Sequence, residues 1–186
     1  MALTTHVALL RAVNVGGRGK VAMADLRALL AELGFEAPQS LLQTGNLVFR
    51  SQPTGASLEA VLEQETEARL GLATDFLVRT AAQWAQLVAA NPFAAMAQSD
   101  PGHLLVMPLK SPPDAIGLEG LRAWIPGREC IEAAGREIYI TYPDGIGASK
   151  LTGAVIERRL KTRGTARNWN TVTKLAALLS EKGGLE

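Results

Sequence analysis

The sequence carries one cysteine, Cys130, two histidines, and aromatic residues at only 5% of its 186 positions. A single cysteine excludes an intrachain disulfide framework and any zinc ribbon or finger, and it suits a reducing compartment. Two histidines, His6 and His103, both at expected strand starts, do not assemble a metal site or a Cys–His dyad. Long hydrophobic runs are missing too. The apolar stretch Val7 to Leu10 stops at Arg11, and no basic segment precedes it, so neither a signal peptide nor a membrane span is expected and the cytoplasm is the default location. Excess charge of one sign is absent: 19 Lys and Arg against 18 Asp and Glu leave +1, so any basic footprint must be local. Scarce aromatics argue against an RNA-recognition sheet, which stacks bases on its central strands. The first strand offers none and the third offers Phe49.

What is present fits an ordinary globular protein, with hydrophobic residues at 47% and charged residues at 20%. The length allows one large domain or two small ones. His6 to Leu10 reads as a strand apolar on both faces, hence covered on both. A glycine-rich loop, Asn14 to Lys20, follows. Met23, Leu26, Leu29, Leu30 and Leu33 then repeat at helical spacing, with Gly34 placed for a left-handed C-terminus. Ser40 to Gln43 and Asn46 to Arg50 flank a Thr44-Gly45 turn, a hairpin signal. Ser57 is placed to cap a second helix that Gly71 closes, and Thr74 to Arg79 is another strand. Thr80 and Gln83 form a capping box for a linking helix, and 98–102 reads as a connector.

The same order then recurs. His103 to Met107 is a strand and Leu118 to Trp124 a short helix. Glu129 to Ala133 and Glu137 to Thr141 flank a turn, Leu151 to Lys161 is a helix, and Thr165 to Asn168 is a strand. A last helix runs from about Thr171. The expected fold is α+β: two ferredoxin-like βαββαβ units, with a linking helix and a C-terminal helix. The first unit with its linking helix covers 1–90, and the second with the C-terminal helix covers 102–186.

Three stretches resemble signatures of a known family. They are Arg11-Ala-Val-Asn-Val-Gly-Gly17, Gln43-Thr-Gly-Asn-Leu-Val-Phe49 and Arg167-Asn-Trp-Asn-Thr-Val-Thr-Lys-Leu175. Together they resemble the bacterial domain-of-unknown-function family numbered 1697. The family pattern has Gly where Ala12 stands and usually Ser where Thr44 stands. The resemblance implies two ferredoxin-like subdomains and no established activity.

The candidate site residues are polar groups around these stretches. The loop Asn14 to Lys20 lies between a strand and a helix, the setting of a phosphate loop. The nucleotide motif Gly-x-x-x-x-Gly-Lys-Ser/Thr fails at both ends, because Asn14 stands at the first glycine and Val21 replaces the magnesium-binding hydroxyl. A plainer anion site is left, with loop N–H groups, Arg18 and Lys20 at a helix N-terminus. In a βαββαβ unit the loop after the first strand and the hairpin between the second and third share one end. Asn14, Gly16, Gly17, Arg18 and Lys20 should therefore neighbour Gln43, Thr44 and Asn46, unless Gln43 and Asn46 merely hold the turn, and Arg11 completes the candidate set. Before the final helix, Asn170 or Thr171 is placed to cap and Trp169 to pack beneath; the alternative stacks a base on Trp169 beside Arg167 and Asn168.

Charge divides the halves. Lys150, Arg158, Arg159, Lys161 and Arg163 stand against Glu157, whereas the matching helix of the first half carries Glu59, Glu63, Glu65 and Glu67 against Arg69. Both read as solvated faces, with nucleic-acid contact or helix pairing across a subunit contact as alternatives. Ser149-Lys150 is adjacent rather than spaced as Ser-x-x-Lys, so no acyl-enzyme is indicated. Three functional readings follow. The first is a small anionic ligand or nucleotide at the glycine-loop end, in a cleft lined by Asn14, Lys20, Thr44, Asn46, Lys150 and Arg167. The second is nucleic-acid binding by the 150–167 surface, disfavoured by the missing aromatics. The third is an enzyme whose residues come from both halves.

Overall fold

The computed structural model describes residues 3–11 and 21–183. Two compact units emerge, one comprising 1–86 with 175–186 and the other 87–174.

In the first unit β1 (Thr4–Leu10), α1 (Met23–Glu32), β2 (Glu36–Leu41), β3 (Asn46–Ser51), α2 (Gly55–Leu70) and β4 (Phe76–Thr80) follow in chain order. The sheet runs β2-β3-β1-β4 and every neighbouring pair is antiparallel. This is the ferredoxin-like arrangement expected from the element order. Alternation along β1 sends Ala8 and Leu10 to the helix-covered face. There they join Leu47, Phe49, Phe76 and Val78 under Met23, Leu26 and Leu30 of α1 and Leu58 and Leu62 of α2. The opposite face is also buried: Val7, Leu9 and Val48 are inaccessible, as expected for a strand apolar on both sides.

The second unit repeats the plan with β5 (Leu104–Pro108), α5 (Ala115–Trp124), β6 (Cys130–Ala134), β7 (Glu137–Thr141), α6 (Gly153–Leu160) and β8 (Arg167–Asn168), in the order β6-β7-β5-β8. Its core gathers Met107, Ile138 and Ile140 of the sheet with Leu121 of α5 and Ile156 of α6. Linking helix α3 (Ala81–Ala89) opens on the expected capping box. Gln83 N–H donates to Thr80 Oγ1 at 3.1 Å, and Thr80 N–H donates to Gln83 Oε1 at 2.9 Å. Helix α4 (Ala94–Ser99) and a 3₁₀ turn (Pro101–His103) occupy part of the stretch read as a connector. The last helix, α7 (Trp169–Gly183), divides between the units.

Local expectations shift in four places. The first hairpin turn spans 42–45 rather than two residues, because Leu42 and Gly45 both adopt positive φ (60° and 78°) and Leu41 pairs with Asn46. Thr54, not Ser57, is the N-cap of α2; the Ser57 hydroxyl donates to Thr54 O instead. Helix α5 starts three residues earlier than its apolar spacing suggests, since the Asp114 carboxylate accepts from Gly117 N–H at the N-cap. The cap of α7 is Asn168, whose Oδ1 accepts from Thr171 N–H at 3.0 Å, rather than Asn170 or Thr171.

One buried polar group makes stability depend on pH. His6 is inaccessible on β1; its Nδ1 lies 3.3 Å from Ser51 Oγ, and its Nε2 meets no partner among the described residues. Burial lowers its pKa below 6.5, the strongest influence, which a backbone hydrogen bond at Thr4 partly opposes. Below pH 6.5 the unfolded chain therefore takes up the proton more readily than the folded one, and stability falls as pH drops through that range. Urea midpoints from about pH 8 to about pH 5 should decline, and His6→Leu should flatten the part of the decline that begins near 6.5. An unchanged slope in the variant would remove His6 as the cause.

Candidate functional site

Chain direction brings three segments to one end of each unit: the exit of the first strand, the hairpin turn, and the approach to the fourth strand. In the first unit Leu10 N–H donates to Gly45 O and Arg11 N–H to Asp75 O, both at 2.9 Å. The Thr74 hydroxyl donates to Arg11 O at 2.6 Å. The Arg11 guanidinium sits 3.4 Å from the Asp75 carboxylate, which neutralises it. So the end of β1 lies beside the 42–45 turn, through Leu10 and Gly45. Asn46 is fully buried, and its amide donates to Leu41 O and Thr44 Oγ1, both at 2.9 Å, so these donors hold the turn. Gln43 and Thr44 are exposed. Asn14, Gly16, Gly17 and Lys20 lie outside the described residues, as does Arg18.

The second unit reproduces this end with different charge. Leu109 N–H donates to Arg136 O and Lys110 N–H to Arg163 O, both at 2.8 Å. Leu109 is thus the counterpart of Leu10, Lys110 of Arg11, and Arg163 of Asp75. Thr162 matches Thr74: its hydroxyl oxygen accepts from Ser111 N–H at 3.1 Å and from Ser111 Oγ at 2.9 Å. Where the first unit sets an arginine beside an aspartate, the second sets a lysine opposite an arginine.

These two cations belong to an open concavity of about 500 Å³ whose further lining includes Ser111, Glu157, Arg158, Lys161 and Thr162. Lys161 ends α6 in the left-handed region, φ 53°, a conformation that costs a side chain about 1 kcal/mol relative to glycine. The first unit places Gly71, φ 67°, at the matching C-terminus of α2. Glu157 Oε1 accepts from Gly164 N–H at 2.9 Å, just as Glu63 Oε1 accepts from Phe76 N–H in the first unit. Among the described residues no group of three or more His, Cys, Asp or Glu could hold a metal ion.

The remaining candidates sit at the other end of the second unit. Exposed Lys150 lines a smaller pocket of about 230 Å³ with Glu129, Asp144 and Ser149. There the Ser149 hydroxyl donates to Glu129, and Arg128 Nε donates to Asp144 at 2.9 Å. Nearby Tyr142 is pushed up to about 12, by burial first and the Glu129 charge second. Arg167 donates from Nη1 to Thr165 Oγ1 at 2.7 Å and to Ala166 O at 2.9 Å, and burial pulls its pKa down to about 10, leaving it cationic at neutral pH. Trp169 is buried, and Asn168 is occupied as a helix cap.

Comparison with known proteins fits this two-unit plan. A family model described as "Protein of unknown function (DUF1697)" matches residues 3–139. The chain belongs to the DUF1697 family. Its structure is similar to that of a conserved bacterial protein, SP0830 from Streptococcus pneumoniae, at a TM-score of 0.77 and 23% identity. The match covers 96% of this chain and 99% of that one, and it shows a shared fold. No curated protein matches.

In this DUF1697 chain the basic concavity was only half legible. Arg158, Lys161 and Arg163 stand out as a charged stretch, but Lys110 and Ser111 do not, because they follow a strand some fifty residues earlier. A signal existed in the internal repeat: Lys110 follows β5 as Arg11 follows β1. Aligning the first strands of the two units on Leu10 and Leu109 exposes it. Phe49, the aromatic weighed for base stacking, is fully buried and stacked on Phe35 with ring centroids 5.3 Å apart.

Proposed function

We propose that the protein binds a small anionic ligand of the phosphate class at the loop end of its second unit. The observation that carries this reading is the replacement of the Arg11–Asp75 pair by Lys110 and Arg163 at the equivalent positions. A lysine and an arginine at adjacent backbone positions can each give an oxyanion a charge-assisted hydrogen bond. Arg158 and Lys161 extend the positive field around the same concavity. Lys161 supports the reading from another side: a lysine stands in a conformation that glycine adopts more cheaply, and strain of this kind clusters at binding sites. The glycine-loop end of the first unit, with Arg11, Thr44 and Asn46, is the second proposed location. It carries less weight because Asp75 already neutralises Arg11. A concavity of this size suits a small ligand, and its lining contains no aromatic side chain on which a base could stack, so nucleic acid is the less favoured partner.

Titration with inorganic phosphate at low ionic strength should raise the melting temperature, and Lys110→Gln with Arg163→Gln should remove most of that rise. Lys161→Gly should separate the two roles of that residue. It should make the free protein about 1 kcal/mol more stable while weakening phosphate binding several-fold. Phosphate binding that survives the double substitution would rule out this pocket. Tight, steeply salt-dependent RNA or DNA binding lost with Arg158→Ala would favour the nucleic-acid reading instead.

A further inference from the structure

At the other end of the second unit one carboxylate oxygen is left without a partner. Glu129 Oε1 accepts from the Ser149 hydroxyl, which itself accepts from Leu151 N–H at 3.0 Å. Glu129 Oε2 is buried and meets no hydrogen-bond partner among the described residues. The neighbouring donors are engaged elsewhere. The Tyr142 hydroxyl donates to Leu151 O at 2.8 Å, and the Arg128 guanidinium donates to Asp144. A buried acceptor without a donor is rare in folded proteins, and it is most costly when it carries charge. Glycine makes room for this one. A Cβ on Gly127 would stand 2.2 Å from Glu129 Oε2 and 3.0 Å from its Cδ, so the carboxylate lies directly over the Gly127 backbone. Gly127, Glu129 and Ser149 all line the pocket of about 230 Å³. Lys150, the residue after Ser149, lines it too; it is exposed, and its ammonium meets no partner among the described residues. Asp144, also in the lining, is neutralised by Arg128. The pocket thus offers one anion and one cation.

We infer that this pocket binds a small zwitterion of the α-amino acid class, its ammonium donating to Glu129 Oε2 and its carboxylate accepting from Lys150. An ammonium supplies the donor that the buried oxygen lacks, and such a pair strengthens where water is excluded. The terminal carboxylate torsion is soft, so a modest rotation presents Oε2 to a ligand in the pocket. A simple anion would meet Glu129 as a like charge, and a simple amine would leave Lys150 uncompensated. The volume suits a molecule of a few non-hydrogen atoms, below the range for drug-sized ligands. This pocket shares no lining residue with the basic concavity, so the inference stands apart from the anion-binding reading.

Isothermal titration of the full-length protein at about pH 7.5 with glycine, L-alanine and L-serine tests this, with methylamine and acetate as single-charge controls. At least one of the amino acids should bind about tenfold or more tightly than either control, the ratio expected for one charge-assisted hydrogen bond. Glu129→Gln should weaken that binding about tenfold while circular dichroism shows the fold intact. Lys150 is exposed, so Lys150→Met should fold normally, and its affinity for the amino acid should fall to that for methylamine. Lys110→Gln with Arg163→Gln should leave amino-acid binding unchanged. Acetate binding as tightly as the amino acid, or full affinity in Glu129→Gln, would overturn the zwitterion site. So would failure of all three amino acids to bind. The anion-binding reading fails separately, by the phosphate titration alone.

Discussion

Gly164→Ala is expected to destabilise the protein towards the upper end of about 1–3 kcal/mol, the range for forcing volume into a packed site. A Cβ at this position would lie 2.6 Å from the Pro108 carbonyl oxygen and 2.7 Å from Leu109 Cδ2. The first obstacle is backbone of β5, the central strand that pairs with both β7 and β8, so it cannot swing aside. Gly164 also forms the bridge to Leu109 that extends the short β8, and its N–H anchors Glu157. Gly120→Ala is the matching control. It lies within α5, where an added methyl would meet nothing within 4 Å, and should stabilise by about 0.4–1 kcal/mol. Urea unfolding of both variants should show shifts of opposite sign. A Gly164→Ala midpoint within error of the parent would mean that β8 moves away from β5 more easily than its hydrogen bonds suggest.

Removing two glutamates from α2 should have a comparable effect for a different reason. Strand β4 is an edge of its sheet, and such edges present N–H groups that must be satisfied. Glu59 Oε1 accepts from Val78 N–H and Glu63 Oε1 from Phe76 N–H, both at 2.9 Å, one helical turn apart on α2 and two residues apart on β4. Glu59 is buried. Glu59→Ala with Glu63→Ala would strand two amide donors, one of them in the interior, at a cost of about 3 kcal/mol together. The bared edge should also pair with other chains, visible as concentration-dependent association in sedimentation velocity. The corresponding Gln pair keeps an acceptor at each site and should lose much less. Equal losses for the Ala and Gln pairs would assign the effect to charge rather than to the strand contacts. The second unit keeps the device in reduced form. Glu157 matches Glu63, but Gly153 stands one turn earlier, where the first unit has Glu59.

Much of the fold was written in local patterns. The spacing of Met23, Leu26, Leu29 and Leu30 marked one face of α1, and those four side chains are buried. Gly34 and Gly71 marked helix ends and hold φ of 78° and 67°. Helical periodicity, left-handed glycines and the Thr80–Gln83 capping box are properties of a few neighbouring residues, so sequence alone suffices to read them. Element order then fixed which loops share an end of the sheet, and the hydrogen bonds from Leu10 and Arg11 bear that out.

Register, partner choice and the sense of charged residues were decided by tertiary structure. The glutamates of α2 look like a solvated acidic face, yet Glu59 and Glu63 serve the β4 edge. The alternation of charges on a helix does not say which strand will lie beside it. Asn168 rather than Asn170 caps α7 because the helix begins at Trp169, directly after β8 and two residues before the apolar spacing implies. The basic concavity needed the fold most of all. Lys110 and Arg163 are fifty-three positions apart and become opposed only when β5 and the approach to β8 pair. A sequence pattern records which charges a protein has, and long-range strand pairing, whose closure no short window encodes, decides which of them must face each other.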